Sequence, residues 1–205
     1  MEKQTEPLET LSEIRLLMER SSRCISLNGL AGVFAGFFAL IGAFVAYNYM
    51  NDKGFVFQLM SSLNIPFIQF FVIDAGLILA ASLFVALLLA LRKAKKRGLK
   101  IWDNTSKRLL INLLIPLLSG GVFCFILLFH GVAGLVAPAT LIFYGLALIN
   151  ASKYTFNDIR YLGYIELTLG LISSLLIGYG LLFWALGFGI MHIVYGIVMY
   201  YKYEQ

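Results

Sequence analysis

Three residues of this chain stand where acid–base chemistry would be unusual: Asp74, Glu166 and His192 each interrupt a long apolar run. An ionisable group held in hydrocarbon costs a few kcal/mol on insertion scales, so such groups face a protein interior or a water-filled cavity. Carboxyl and imidazole groups together can pass protons, bind a cation or hydrogen-bond a small polar solute. Helical spacing indicates where each one points. Glu166 shares a stripe with Gly163, Gly170 and Ser173 or Ser174, and His192 shares one with Gly189, Tyr195 and Gly196. Small residues at these intervals mark faces where neighbouring helices approach closely. Asp74 shares its face with Leu77, Ala81 and Ser82, a weaker sign of the same kind.

Further along, Asn112, Pro116, Ser119 and Gly120 share one helical face. Pro116 has no N–H to give the Asn112 carbonyl, which must then find water or a neighbour's donor. The functional reading is a polar path or pocket lined by Asp74, His192 and Glu166, with Asn112, Pro116 and Ser119 near its inner end. With about 1.5 Å of rise per residue from each span's midpoint, Asp74 falls outward of the midplane, His192 near it and Glu166 inward. The competing reading is a set of interhelical hydrogen bonds between neutral groups that hold a bundle together, and for His192 alone it is the favoured one.

Those positions acquire depth only from the elements around them. The chain has 205 residues, of which 60% are hydrophobic and 13% charged, where an ordinary soluble domain carries roughly 25% charged residues. That composition excludes both a soluble globular fold and a disordered chain. The reading is an all-α polytopic membrane protein, a bundle of six transmembrane helices at about 25–48, 66–91, 109–129, 132–151, 159–178 and 181–201. Residues 1–24 precede the spans and 202–205 follow them. His130 and Gly131 separate the third span from the fourth, and Tyr179 and Gly180 the fifth from the sixth, so three antiparallel hairpins are expected.

Fifteen of the sixteen Lys and Arg residues fall on one side of this arrangement, with Lys53 alone on the other. The positive-inside rule therefore expects both termini in the cytoplasm and the protein in the inner membrane. The same count accounts for the net charge of +5 without a nucleic-acid partner. The run Arg92, Lys93, Lys95, Lys96 and Arg97 is first a topology determinant and second a contact for anionic lipid. Residues 8–20 have the pattern of an interfacial amphipathic helix, with Thr10 and Glu13 at capping-box spacing. The outer connection 49–65 holds a turn-like Asn51-Asp52-Lys53-Gly54 followed by an apolar stretch too short to span. Because 24 mostly polar residues with five glutamates precede the first apolar run, no signal peptide is expected there.

Gly29, Gly32 and Gly36, continued by Ala39 and Ala43, make a small-residue face read as internal helix packing, with a homodimer seam as the alternative. Segment 18–32, MERSSRCISLNGLAG, resembles a group of uncharacterised bacterial six-span inner-membrane proteins, and the resemblance implies no activity. Two cysteines, Cys24 and Cys124, give no disulfide framework and no metal site. His130 has no second His or Cys near it in sequence and is read as a solvated turn residue. No phosphate loop, dinucleotide fingerprint or His-Glu-xx-His zinc helix is present, and Ser119-Gly120-Gly121 has no base close by in sequence. No catalytic residue, metal or cofactor is expected. A small transporter or channel-like protein is the leading reading, ahead of a membrane sensor or partner subunit with a membrane or cytoplasmic protein partner, and of a membrane-embedded enzyme.

Overall fold

A computed structural model describes residues 29–52, 65–97 and 104–203. The expected amphipathic helix at 8–20, Lys53 and the connection through residue 64, and positions 98–103 of the basic loop lie outside the described residues. Among those described, every regular element is helical. Helix α1 spans Gly29–Asp52, α2 Ile65–Arg97, α3 Asn104–Phe129, α4 Val136–Ala151 and α5 Asp158–Leu175. Helix α6 covers Gly180–Tyr203 as one rod whose middle, Ala185–Met191, is a π-helical turn. Short 3-10 turns flank α4 at Ala133–Leu135 and Ser152–Tyr154.

Among the described residues five helices are long and apolar enough to cross a membrane: α1, α2, α3, α4 with its flanking turns, and α6. These are the elements a multi-pass membrane protein requires. Helix α5 is set apart by Asp158, Arg160 and Glu166 within its 18 residues. Large apolar side chains cover the outside. Leu77 and Phe84 on α2, and Leu118 and Phe125 on α3, are all more than half exposed, an arrangement that water penalises and lipid tails accept.

Four helices outrun the apolar segments that define them, α3 beginning at Asn104 instead of 109 and α6 covering Gly180–Tyr203 instead of 181–201. Helix α1 continues to Asp52 and α2 to Arg97, past the expected ends at 48 and 91. Helix α5 stops short, at Leu175 rather than 178. Leu176 leaves the helical region, and Gly178, at φ +106, makes the turn toward α6. Helix α3 ends in a Schellman motif: Gly131 sits at φ +73, its N–H bonds to Leu128 at 3.0 Å, and the Val132 N–H bonds to Leu127 at 2.8 Å. Glycine adopts that left-handed conformation at no steric cost.

Neighbouring helices run antiparallel. Tyr49 of α1 stacks on Phe70 of α2 with ring centroids 3.8 Å apart, while Gly42, seven residues earlier, faces Ile78. Asn112 and Cys124 of α3 meet Asn150 and Val136 of α4. Gly145 of α4 packs against Gly163 and Leu167 of α5. The first and last helices also meet: a Cβ on Gly29 would lie 2.5 Å from the Gly196 carbonyl, and one on Gly36 2.5 Å from the Gly189 carbonyl. Gly29, Gly32 and Gly36 therefore lie along α6, and side chains there would force the two backbones apart. Contacts run from α2 through α1, α6, α5 and α4 to α3, with α6 also touching α4 at Ala137. A cluster of Leu148, Ile159 and Leu162, with Tyr144, Met191 and Tyr195 packed on it, fills the space where α4, α5 and α6 meet.

Candidate functional site

Glu166 is the ninth of the eighteen residues of α5, and His192 lies at the middle of α6. Both are buried, Glu166 completely. The imidazole Nδ1 stands 3.3 Å from Glu166 Oε1, so the two groups share one depth. That corrects the offset expected from span midpoints: ending α5 at Leu175 moves its centre to Glu166. Neither carboxyl oxygen has a hydrogen-bond partner by strict geometry, which leaves the imidazole as the polar neighbour of the carboxyl.

Local structure in α6 creates room for this contact. The sequence Ala185-Leu186-Gly187-Phe188-Gly189 holds two glycines, poor formers of regular helix, and the helix widens into a π-turn there. Gly187 faces the Glu166 carboxylate so closely that a Cβ at that position would collide with Oε2. The backbone N–H of His192 turns to Gly189, and its own Nδ1 lies 3.0 Å from the Gly187 carbonyl. A single-turn π insertion of this kind is rare in ordinary helices and frequent at functional sites.

The protonation pattern follows from donor and acceptor capacity. A carbonyl oxygen only accepts, so Nδ1 carries hydrogen and donates it to the Gly187 carbonyl, with the Glu166 carboxyl beside the same nitrogen. In neutral imidazole Nε2 then accepts, and the Tyr144 hydroxyl, 2.8 Å away, is its donor. Tyr144 of α4 and His192 of α6 are thus hydrogen-bonded across two helices, and Glu166 of α5 stands beside the other imidazole nitrogen at 3.3 Å. A proton moving from imidazolium to carboxylate neutralises both groups without altering their summed charge, which favours transfer in a low-dielectric interior.

Aromatic rings close one side of this group. Phe188 stacks on the imidazole at 5.8 Å between centroids and lies 5.0 Å from Tyr144, with Trp184 5.1 Å beyond Phe188. Toward the other end lies Tyr195, whose hydroxyl is buried without a partner. Beyond it, Asp158 at the start of α5 accepts from Lys202 Nζ at 2.9 and 3.0 Å and from the Tyr203 hydroxyl at 2.6 Å.

The remaining sequence-selected residues lie elsewhere. Asp74 sits on α2 beside Gly42 of α1, and Gly42 is turned about 110° around α1 from the glycines that face α6. The structure brings Glu166 and His192 together and leaves Asp74 on the far side of α1. The Asn112 carbonyl freed by Pro116 accepts from Asn150 Nδ2 at 2.9 Å, and Asn112 Oδ1 accepts from the same nitrogen at 3.2 Å. This is a contact between α3 and α4. Ser119 is exposed and donates to the Ile115 carbonyl of its own helix at 2.8 Å. Arg92, Lys93, Lys95 and Lys96 occupy the last turns of α2, with Arg97 its final residue. Among the described residues no group of three or more His, Cys, Asp or Glu could hold a metal ion.

Sequence reasoning passed over Tyr144, Gly187 and Asn150. Tyr144 carried a usable signal, because tyrosine in membrane helices concentrates at the interfaces and this one lies mid-helix. No protein-family model, curated protein or solved structure matches the chain.

Proposed function

We propose that the protein is a small proton-handling transporter or channel-like protein of the inner membrane, in which Glu166 and His192 form the titrating centre. The observation that carries this reading is the proximity, at 3.3 Å, of Nδ1 of His192 to a fully buried carboxyl whose oxygens have no hydrogen-bond partner. A pair kept only for cohesion would be expected to satisfy both carboxyl oxygens, since buried polar atoms are nearly always hydrogen-bonded. An otherwise unpartnered carboxyl beside an imidazole that also receives Tyr144 suits the uptake and release of one proton.

The accompanying topology has six crossings in three hairpins, α5 included, with both termini cytoplasmic. The alternating helix directions and the basic residues at the end of α2 support it. In a cysteine-free background, Lys96→Cys and Lys153→Cys should label from one side of the membrane, and His130→Cys and Tyr179→Cys from the other. Labelling of Lys153→Cys and Tyr179→Cys from the same side would remove α5 from the spans. At the cytoplasmic face Arg92, Lys93, Lys95 and Lys96 would contact anionic lipid, each contributing on the order of 1 kcal/mol.

Vesicles containing the purified protein and an internal pH-sensitive dye test the function directly. An imposed potassium diffusion potential should drive proton entry through the wild-type protein. Glu166→Gln and His192→Leu should each abolish it, while Asp74→Asn should retain it. Absence of flux in the wild type, or unchanged flux in both central variants, would overturn the proposal.

A further inference from the structure

We propose that the N-terminal segment of the chain docks on the basic end of α2, with Glu9 and Glu13 pairing with Arg92 and Lys96. The occupant is residues 1–20, which lie outside the described residues, and the surface is formed by the last turns of α2.

That surface is rich in one charge. Helix α2 carries Arg92, Lys93, Lys95 and Lys96 in its last turns and ends at Arg97. Arg92, Lys95 and Lys96 are exposed, and Arg92 and Lys96 stand one turn apart on a single stripe. The four carboxylates among the described residues are placed elsewhere. Asp52 ends α1 at the opposite end of the bundle, and Asp74 lies about five turns before Arg92 on α2. Asp158 is held by Lys202 and Tyr203, and Glu166 is fully buried.

The opposite charge is concentrated in the stretch that precedes α1. Five of the chain's eleven Asp and Glu residues are Glu2, Glu6, Glu9, Glu13 and Glu19, against Lys3, Arg15 and Arg20 in the same stretch. On a helix over 8–20, Glu9 and Glu13 fall one turn apart, on the side opposite Leu11 and Met18. Two carboxylates at that spacing match two cations at the same spacing on α2. An interfacial helix that seeks anionic lipid carries Lys and Arg on its polar face, whereas carboxylates there are repelled by such a surface and drawn to cations borne by protein.

The segment starts in the right place and is long enough. Tyr49 stacks on Phe70 and Gly42 faces Ile78, so the antiparallel register brings Gly29 level with Leu91. Helix α2 then rises about 9 Å farther, to Arg97. From Gly29 back to Arg20 the chain can span up to about 30 Å, well beyond the spacing of about 8–10 Å between packed helix axes. Residues 8–20 can therefore lie beside Arg92 and Lys96 with α1 unmoved. Docking relieves the repulsion between like charges four residues apart on α2, and anionic headgroups would compete with the segment for the same cations.

The test uses the full chain with Cys24→Ser and Cys124→Ser, in phosphatidylcholine vesicles. Ser12→Cys and Lys95→Cys are joined by a short bis-maleimide, and the intramolecular product is read on a denaturing gel. Glu9→Lys with Glu13→Lys should cut its yield about fivefold or more, and adding Arg92→Glu with Lys96→Glu should restore it. The restoring swap separates lost attraction from lost folding. A yield indifferent to the reversal, a swap that fails to restore it, or a product that joins two copies would overturn the docking. Repeating the measurement in phosphatidylglycerol vesicles addresses the lipid surface: a yield set by lipid charge alone and unchanged by the reversals would place the segment there and equally overturn it.

Discussion

His192 holds its imidazole between a carboxyl on a neighbouring helix and a carbonyl of its own helix, with Nδ1 3.3 Å from Glu166 and 3.0 Å from Gly187. Because the π-turn exposes that carbonyl and Gly187 leaves space for the carboxyl, one side chain joins α5 to the middle of α6. The contact is therefore both the strongest candidate for chemistry and a joint of the bundle, and its two roles separate under substitution.

Removing one partner should cost more than removing both. His192→Leu leaves the buried Glu166 carboxyl without its polar neighbour, a loss of about 2 kcal/mol. Glu166→Gln retains volume and an acceptor and should cost less. Glu166→Leu combined with His192→Leu should recover much of the loss, because a buried polar pair replaced by apolar residues is often close to neutral in stability. Thermal unfolding of detergent-purified variants measures the order, and a double variant less stable than His192→Leu would contradict it.

Asn150 and Pro116 should be energetically coupled. Asn150 donates to the carbonyl that Pro116 frees, so Asn150→Leu in the wild type orphans an acceptor at a cost of about 1 kcal/mol. In a Pro116→Ala background the alanine N–H can serve that carbonyl, and the same substitution should cost less. A double-mutant cycle reads the difference directly. Equal costs in both backgrounds would mean that Asn150 acts on something other than the freed carbonyl.

Glycines should divide by what their missing Cβ would meet. Gly29→Ala and Gly196→Ala place a methyl within 2.5 and 2.6 Å of backbone atoms across the α1–α6 contact, and overpacking of this kind costs about 1–3 kcal/mol. Gly76→Ala and Gly121→Ala enter open space and should be neutral or stabilising by up to about 1 kcal/mol. Melting temperatures of the four variants test the division.

Acid should loosen the end of the bundle where α5 begins. Burial pushes the Asp158 carboxyl up, but hydrogen bonds from Tyr203 and Lys202, with the Lys202 charge, outweigh it and hold the group below its usual value of 3.8. A depressed folded value means that the contact stabilises the protein above the unfolded value of about 4, and that this stabilisation fades as pH falls through the folded value. With Lys202 53% exposed, solvent screening keeps the effect small. Asp158→Asn should flatten the stability profile below about pH 4 and leave its neutral region little changed. A profile with the same acid slope in the variant would assign that slope to other carboxyls.

Much of the architecture was legible in the residues themselves. Apolar runs of bilayer length announce membrane-crossing helices because lipid offers backbone groups no partners, and the turn at Gly131 follows from a residue that accepts positive φ, whereas the second turn falls at Gly178 and not at the expected Tyr179-Gly180. The need of the Asn112 carbonyl for an outside donor also followed from Pro116, a local effect of one missing N–H. The chain alone thus determined its solvent, its helices and the short list of polar groups that must be satisfied inside. Which groups satisfy one another was decided by tertiary packing. Glu166 and His192 lie 26 residues apart in sequence, and their meeting depends on where α5 stops, how far the π-turn rotates α6 and which face of α1 lies between them and Asp74. Those quantities are set jointly by several helices, so no single segment's periodicity contains them. Tyr144 joins the pair for the same reason: a hydroxyl at mid-helix demands a partner, and only the crossing of α4 over α6 identifies it as His192.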